Sequence, residues 1–565
     1  MKKRKQSTKK PSNEQDNAHH SLLVAITLTL IILALLGIAE LTGLAGYEVA
    51  GVNTVIGSCQ DLTTENSTYT LNQSITVSGT CFNINASNVT LDGAGFNITG
   101  DGSGVGVWNR GYANVTIKSF KSIASFDIGI NLTSVVANEV YNNTVNGGGT
   151  NKHAITLTGP WTALSTTSSL RNNTIVSGSG AGETFGKGIF VDGANTSNIT
   201  ENSITATSQL SIGIDIDGGS VGAGALIVSR NSITLQSSLS NGVRLRDEEG
   251  TKIVENNVTM IQDSAVVSTT YGGVYLISSA HNNISQNRIM VAHNTTRGLV
   301  ISSSGTDGNN SVELNTITTN LSNSDAIYIT TGNSAHNKLR GNSVTTYGNG
   351  SSAYDLEGGI NTSITNDILI ASTSNDIVNS AHATLTNVTF NRTDTGSTVN
   401  ITVRWYVSTT VKNSTNTAAL QNINITTYNS SVAIVDSQLS DVNGAILQQS
   451  LTEFIKFNGT TTYATPHNFT AVASGYVSNS TVINLTATNS TTITLSIATN
   501  ETPIVSVTSP SNNSYLSVTG VSIVGTAFDP NGASVKINDT GFGTNVGTYE
   551  SWNFTNASLG EGRYS

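Results

Sequence analysis

A chain of 565 residues with a net charge of −10 and only 11% charged residues is too long for one ordinary domain and carries no basic excess with which to hold DNA or RNA. Asn, Ser, Thr and Gly dominate, which disfavours helices and suits strands and turns. Its 37% hydrophobic content, regularly spaced, excludes a disordered chain and points to an all-β fold.

Residues 1–20 hold Lys2, Lys3, Arg4, Lys5, Lys9 and Lys10 against two acids, and an apolar run over residues 22–39 follows with no charge before Glu40. A run of this length suffices to cross a hydrocarbon core of ~30 Å, and bases on its N-terminal side keep that end in the cytoplasm and export the remainder. We therefore expect a basic cytoplasmic segment (1–20), a transmembrane signal-anchor (21–39) and a linker (40–57). The competing reading is a signal peptide cleaved near Gly37-Ile38-Ala39 and a secreted product, but the run exceeds the usual signal core. Cys59 and Cys81, the two cysteines, lie just beyond. Export favours a disulfide between them worth ~3 kcal/mol; two free thiols are the alternative, and a pair alone cannot complete a structural zinc site. Roughly thirty Asn-x-Ser/Thr sequons further suggest a glycoprotein.

From about residue 60 the chain repeats. Val140/Asn143/Val145, Leu170/Asn173/Ile175, Ile199/Asn202/Ile204 and Val228/Asn231/Ile233 share one pattern, continued at Ile253/Asn256/Val258, Ile284/Asn287/Ile289, Val312/Asn315/Ile317 and Leu339/Asn342/Val344. Apolar residues five apart cannot both face inward along one straight strand, so a corner lies between them. Asn tolerates the left-handed conformation and bonds local backbone, and we expect it to form that corner. A second column reads Gly129-Ile130, Ala154-Ile155, Gly188-Ile189, Gly213-Ile214, Gly242-Val243, Gly273-Val274, Gly298-Leu299 and Ala326-Ile327, each with another apolar residue two further on. Such strands have one buried face, and about ten or more of these repeats stack as parallel rungs ~4.8 Å apart.

These residues resemble the right-handed parallel β-helix repeat family, whose members include archaeal and bacterial surface proteins, the copper-site maturation protein of nitrous oxide reductase, and polysaccharide lyases, hydrolases and epimerases. The resemblance spans about 60–390 and includes Cys81-Phe-Asn-Ile-Asn-Ala-Ser-Asn-Val-Thr-Leu-Asp-Gly93, similar to the opening rung of archaeal surface members. It implies a right-handed parallel β-helix over 58–390 and says little about activity.

With Ile214 and Ile216 inward, Asp215 and Asp217 point outward. Stacking then aligns Asp192, Asp217 and Arg246 in one column and Phe190, Asp215, Arg244 and Tyr275 in the next. At one-rung separation Asp215–Arg244 and Asp217–Arg246 read as structural ion pairs worth about 0.2–1 kcal/mol each. Carboxylates, Arg and rings on one flank also suit an acidic sugar, so this flank is the candidate ligand-binding surface. An enzyme would use Asp215, Asp217 and Arg244, but the Gly-His-Gly turn and Arg-x-Lys strand of the family's lyases and hydrolases are missing, and Arg244-Leu-Arg246 is an approximate echo; no catalytic residue is assigned. No cofactor and no metal site is expected: Ser-Ala-His recurs at His281, His336 and His382, yet His281 and His336 sit two rungs, about 9–10 Å, apart, too far to share one ion easily.

Beyond residue 390 the repeat stops. Ile401-Thr-Val403-Arg-Trp405-Tyr-Val407, Ile423/Ile425, Val432/Ile434, the Asp441-Val-Asn-Gly444 turn and Ile493-Thr-Leu495-Ser-Ile497 suggest a β-sandwich over 391–500. With Gly475-Tyr476 it resembles the carboxypeptidase regulatory-like (transthyretin-like) modules of surface proteins, in which Trp405 and His467 read as core and turn residues. Val521-Ser-Ile-Val-Gly-Thr-Ala-Phe-Asp529, after Pro503 and Pro510, resembles an immunoglobulin-like repeat over 501–565 that we expect to be incomplete. The expected function is a non-enzymatic surface or envelope protein presenting the solenoid for adhesion or carbohydrate binding, its partners surface glycans or envelope components. The alternative is a lyase or glycoside hydrolase acting on acidic polysaccharide.

Overall fold

The computed structural model describes residues 51–498, apart from segments 134–135, 148–152, 160–167, 178–185, 194–196, 209, 219–225, 237–238, 262–270, 303–307, 331–334, 379 and 392–398, and further strand segments as far as Arg563. The expected cytoplasmic segment and membrane anchor lie outside the described residues. Among those described, no helix is long and apolar enough to cross a membrane.

Among the described residues, the strands from Asn53–Ile56 to His382–Thr386 form three parallel sheets wound round one core. Sheet I contains Glu139–Tyr141, Ser169–Arg171, Asn198–Thr200 and their equivalents; sheet II has twelve strands, among them Thr174–Ser177 and Ser203–Ala206; sheet III has thirteen, among them Lys187–Asp192, Ile212–Asp217 and Asn241–Arg246. Each strand pairs in parallel with its equivalent on the next rung, as Leu170↔Ile199↔Val228 do in sheet I and Ile189↔Ile214↔Val243 in sheet III. The chain is therefore a parallel β-solenoid of the right-handed type, with ten or more turns. At ~4.8 Å per rung its length is on the order of 55 Å. Cys59 and Cys81 are disulfide-bonded, with Cα atoms 4.6 Å apart, tying the first turn to the second.

The corner between sheets I and II differs from expectation in one respect. The left-handed residue is not the repeated Asn but the one before it: Asn142, Asn172, Glu201, Arg230, Glu255, Gln286 and Leu314 all have φ between 53 and 58°. That reversal frees the following Asn to turn its side chain inward, where it is 1–2% exposed. The Asn then builds a ladder. Asn173 Nδ2 donates to Asn202 Oδ1 at 3.0 Å and to the Val140 carbonyl at 2.9 Å, and the Asn173 backbone N–H also donates to Asn202 Oδ1 at 3.0 Å. The same three bonds recur from Asn202 to Asn231, Asn231 to Asn256, Asn256 to Asn287, Asn287 to Asn315 and Asn315 to Asn342. The backbone N–H and side-chain amide of each of these buried Asn residues are thereby paired, which burial demands.

The small residue ahead of each sheet III Ile has an equally direct cause. A Cβ on Gly213 would lie 2.6 Å from the Gly242 carbonyl oxygen and 2.6 Å from Ile233 Cγ2, and one on Gly188 would meet the Gly213 oxygen at 2.5 Å. Two successive residues face inward there, so only a residue with almost no side chain fits between rungs.

After residue 390 the 13-residue strand Ile401–Asn413 carries sheet I onward. Its first half pairs in parallel with His382–Thr386 and its second half in parallel with Asn489–Leu495, while Gln449–Phe457 runs antiparallel along its other edge. A separate four-stranded antiparallel sheet contains Asn424–Tyr428, Ile434–Leu439, His467–Val472 and Asn479–Ile483. Trp405, Phe454, Phe469 and Leu485 are buried in the same continuous apolar cluster as the solenoid core. Asp441 forms the expected turn, its Oδ1 accepting the N–H groups of Asn443 and Ala445. Val432, expected in a strand, instead sits in a turn with φ 61°. His467, expected in a turn, is a strand residue, 1% exposed, whose Nε2 lies 2.7 Å from the Thr452 carbonyl oxygen.

Candidate functional site

The outer face of sheet III carries the predicted flank in the predicted register. Phe190, Asp215, Arg244 and Tyr275 pair rung to rung, as do Asp192, Asp217 and Arg246. Period-two alternation puts both columns outside once Ile189, Ile214, Val243 and Val274 are inside.

Outward direction does not make Asp215 accessible. Arg244 grips it with two bonds, Nε to Oδ1 at 2.7 Å and a terminal nitrogen to Oδ2 at 2.8 Å, and Lys187 Nζ reaches the same Oδ2 at 2.7 Å. The Asp215 side chain is 1% exposed. Burial acts to raise its pKa, but the Arg244 hydrogen bonds and charge, joined by Lys187, prevail and hold the carboxyl below its ordinary value. A carboxylate held this way is fixed in its charged form and both its oxygens are occupied, an arrangement suited to locking three rungs together.

Lys187 was not legible as part of this flank. It opens its strand beside Gly188 and extends over the surface, its Nζ 3.4 Å from the centre of the Phe190 ring, and the His153 ring lies 5.3 Å from that ring on the preceding rung. The combination continues in both directions. Arg110 covers Trp108 at 4.1 Å, and Arg297 covers Tyr328 at 4.2 Å. Trp108, Phe190, Tyr275 and Tyr328 belong to one outward register column.

The second column is more open. Arg246 bonds Asp217 Oδ2 at 2.8 Å with side chains 37% and 27% exposed. Desolvation, then repulsion from Asp217, raises the Asp192 carboxyl. Glu248, which sequence reasoning missed, lies just past this column: Thr251 Oγ1 donates to its Oε2 at 3.2 Å, and burial, with Asp217 and Asp247 nearby, pushes it up to about 7. Its carboxylate fills the space above Gly218, where a Cβ would meet it. Tyr275 is likewise raised, chiefly by burial.

Among the described residues no group of three or more His, Cys, Asp or Glu is placed to hold a metal ion. His281 and His336 stand two rungs apart, as the register Asn283↔Ser311↔Lys338 requires, and His281 Nδ1 contacts Glu249 at 2.9 Å.

Fold and flank together define a parallel β-solenoid whose sheet III groups rings, acids and bases on its outer face. No family model matches the chain, and no curated protein matches it. Among solved structures, a mutant tailspike protein of E. coli bacteriophage HK620 in complex with a pentasaccharide is similar at 13% identity and TM-score 0.37, with 71% of this chain and 86% of that chain covered. The unmutated HK620 tailspike with pentasaccharide is similar at 12% identity and TM-score 0.36 over the same shares. The assignment of the fold rests on the strand register above.

Proposed function

We propose that the chain is a surface or envelope protein whose solenoid presents the outer face of sheet III to carbohydrate. The carrying observation is the placement of Phe190 and Tyr275, with Asp192, Asp217 and Arg246 in the column beside them, on four successive rungs of one face around the buried Asp215–Arg244 clamp. Rings supply apolar surface for sugar C–H groups, and the partly open Asp217–Arg246 pair supplies donors and acceptors for hydroxyls. An N-terminal membrane anchor (21–39), N-glycans on the sequons, a carboxypeptidase regulatory-like sandwich over 391–500 acting as spacer and an immunoglobulin-like module over 501–565 complete this reading, which the sequence patterns support. The test is a glycan array probed with the chain from residue 51 onward. Binding to at least one glycan class is expected, weakened at least tenfold by Arg246→Ala with Tyr275→Ala; absence of binding above background sinks the reading.

Glu248 favours a second reading, a glycosidase. Glycoside hydrolysis uses two carboxyls, one of them a general acid; here Glu248, pushed up to about 7 by burial, is the acid and Asp217 the second carboxyl, with Asp215 held by Arg244 and Lys187. Polyuronates and neutral polysaccharides incubated with the chain would release new reducing ends, and Glu248→Gln would abolish the release. No new ends from either class removes this reading while leaving binding intact.

A further inference from the structure

The junction between the last rungs and the sheets that follow leaves a cleft in two adjoining parts. One has a volume of about 430 Å³ and is bordered by Glu453, Phe454, Tyr463 and Asn484; the other, about 540 Å³, is bordered by Asn387, Asn391 and Trp405; Thr486 borders both. Each is within the size range of small-ligand sites.

The walls are chemically specific. Trp405, 6% exposed, donates its indole N–H to Glu453 Oε2 at 2.5 Å, and Glu453 is 3% exposed, so a buried ring and a buried carboxylate form the floor between the two parts. Phe454 and Tyr463 are cross-strand partners with ring centres 5.7 Å apart, yet Tyr463 remains 59% exposed, with ring surface left open. The rim is hydroxyl and amide: Thr465 donates to Asn484 Oδ1 at 3.1 Å, and Thr488 to Asn387 Oδ1 at 2.7 Å. Lys456 also borders the first part, so the lining holds one acid and one base. An open ring face within a rim of hydroxyls and amides, without net charge, complements a neutral pyranose, whose C–H face stacks while its hydroxyls exchange hydrogen bonds with the rim.

We propose that this cleft is a saccharide site, separate from the sheet III flank and independent of the reading given to it. The sugar has two available sources. Asn387-Val388-Thr389, Asn391-Arg392-Thr393 and Asn484-Leu485-Thr486 are sequons, so three N-glycan acceptors stand on the rim, and the cleft holds either a free oligosaccharide or a glycan attached to the chain.

The full chain prepared from a host that attaches N-glycans and from one that does not separates these sources. Cellohexaose, maltohexaose, mannohexaose and chitohexaose are titrated calorimetrically into the unglycosylated chain. Binding of at least one is expected, weakened at least tenfold by Tyr463→Ala, retained in Tyr463→Phe and unchanged by Arg246→Ala on the flank. If the occupant is the chain's own glycan, a sugar on Asn387, Asn391 or Asn484 resists exoglycosidase trimming in the native chain, and Tyr463→Ala removes that resistance. Neither Tyr463-dependent binding nor Tyr463-dependent resistance overturns the proposal, whatever the flank binds.

Discussion

The backbone N–H of Asn342 donates to Asp367 Oδ1 at 2.7 Å, and with that bond a column of amides running from Asn143 ends on a carboxylate. Tyr354, fully buried, donates its hydroxyl to the other oxygen of Asp367 at 2.5 Å. Burial outweighs these donors and pushes the Asp367 carboxyl up to about 6. A carboxyl whose pKa is higher folded than unfolded binds more protons in the native state, so stability falls as pH rises from about 4 to about 6. Asp367→Asn, which can continue the ladder, is expected to flatten this dependence and to stabilise the chain at pH 7 by up to about 3 kcal/mol. Denaturation midpoints from pH 4 to 7 check it; an unchanged slope contradicts the assignment.

Removing a rung of the ladder has a different signature. Asn231→Ala strips the acceptor from the N–H and Nδ2 of Asn202 and the donor from the Ile199 carbonyl. Leaving several buried groups unpaired is expected to cost about 3–5 kcal/mol. Ser203→Ala, two residues past the preceding corner and exposed, is expected to change stability by less than about 0.5 kcal/mol. Hydrogen exchange of rungs near 199–260 would show the loss for the first variant alone.

The clamp on Asp215 predicts strong non-additivity. Arg244→Ala leaves a buried carboxylate with Lys187 as its remaining ion-pair partner and is expected to cost about 3–5 kcal/mol, whereas replacing Lys187, Asp215 and Arg244 together by apolar residues of similar volume is expected to be near neutral. For Asp215 the pH sign is opposite to that of Asp367. Its pKa is lower when folded, so its contribution is present above the unfolded value near 3.8 and is lost as pH falls below it. Acid denaturation of wild type beside Asp215→Asn reads this out; a triple variant as damaged as Arg244→Ala would refute the clamp.

Gly213→Ala puts a methyl group into the 2.6 Å gaps to Gly242 and Ile233. We expect a loss of about 1–3 kcal/mol from overpacking, localised to sheet III. A variant structure with unchanged rung spacing and stability would disprove the steric account of the Gly column.

The inward alternation of sheet III and the stacking of Asp217 on Arg246 were legible because period two and a near-constant repeat leave little freedom once Ile214 is inside. The corner was legible as a position but not as a geometry: Asn143 was marked by recurrence, whereas the left-handed residue before it varies from Glu201 to Arg230 to Leu314, because a turn residue facing solvent needs only to tolerate the conformation. Lys187 and Glu248 left no periodic trace. Lys187 reaches across to the next rung from beside Gly188, and Glu248 owes its raised pKa to burial above Gly218, a contact between separate turns. The cleft at Trp405 is assembled from segments near 387–391, 453–465 and 484–488, which no local pattern connects.

The strand Ile401–Asn413 bears on how the molecule meets copies of itself. A parallel stack ends in a row of unpaired N–H and C=O groups, a template for another chain's strand. At the C-terminal edge of sheet I that row is taken by Ile401–Asn413, whose far edge is in turn covered by the antiparallel Gln449–Phe457. A stacking repeat cannot continue in register past an antiparallel neighbour. Growth of sheet I by end-to-end addition of further solenoids is therefore blocked on this side, and the rod has a fixed stop built from its own chain rather than from a partner.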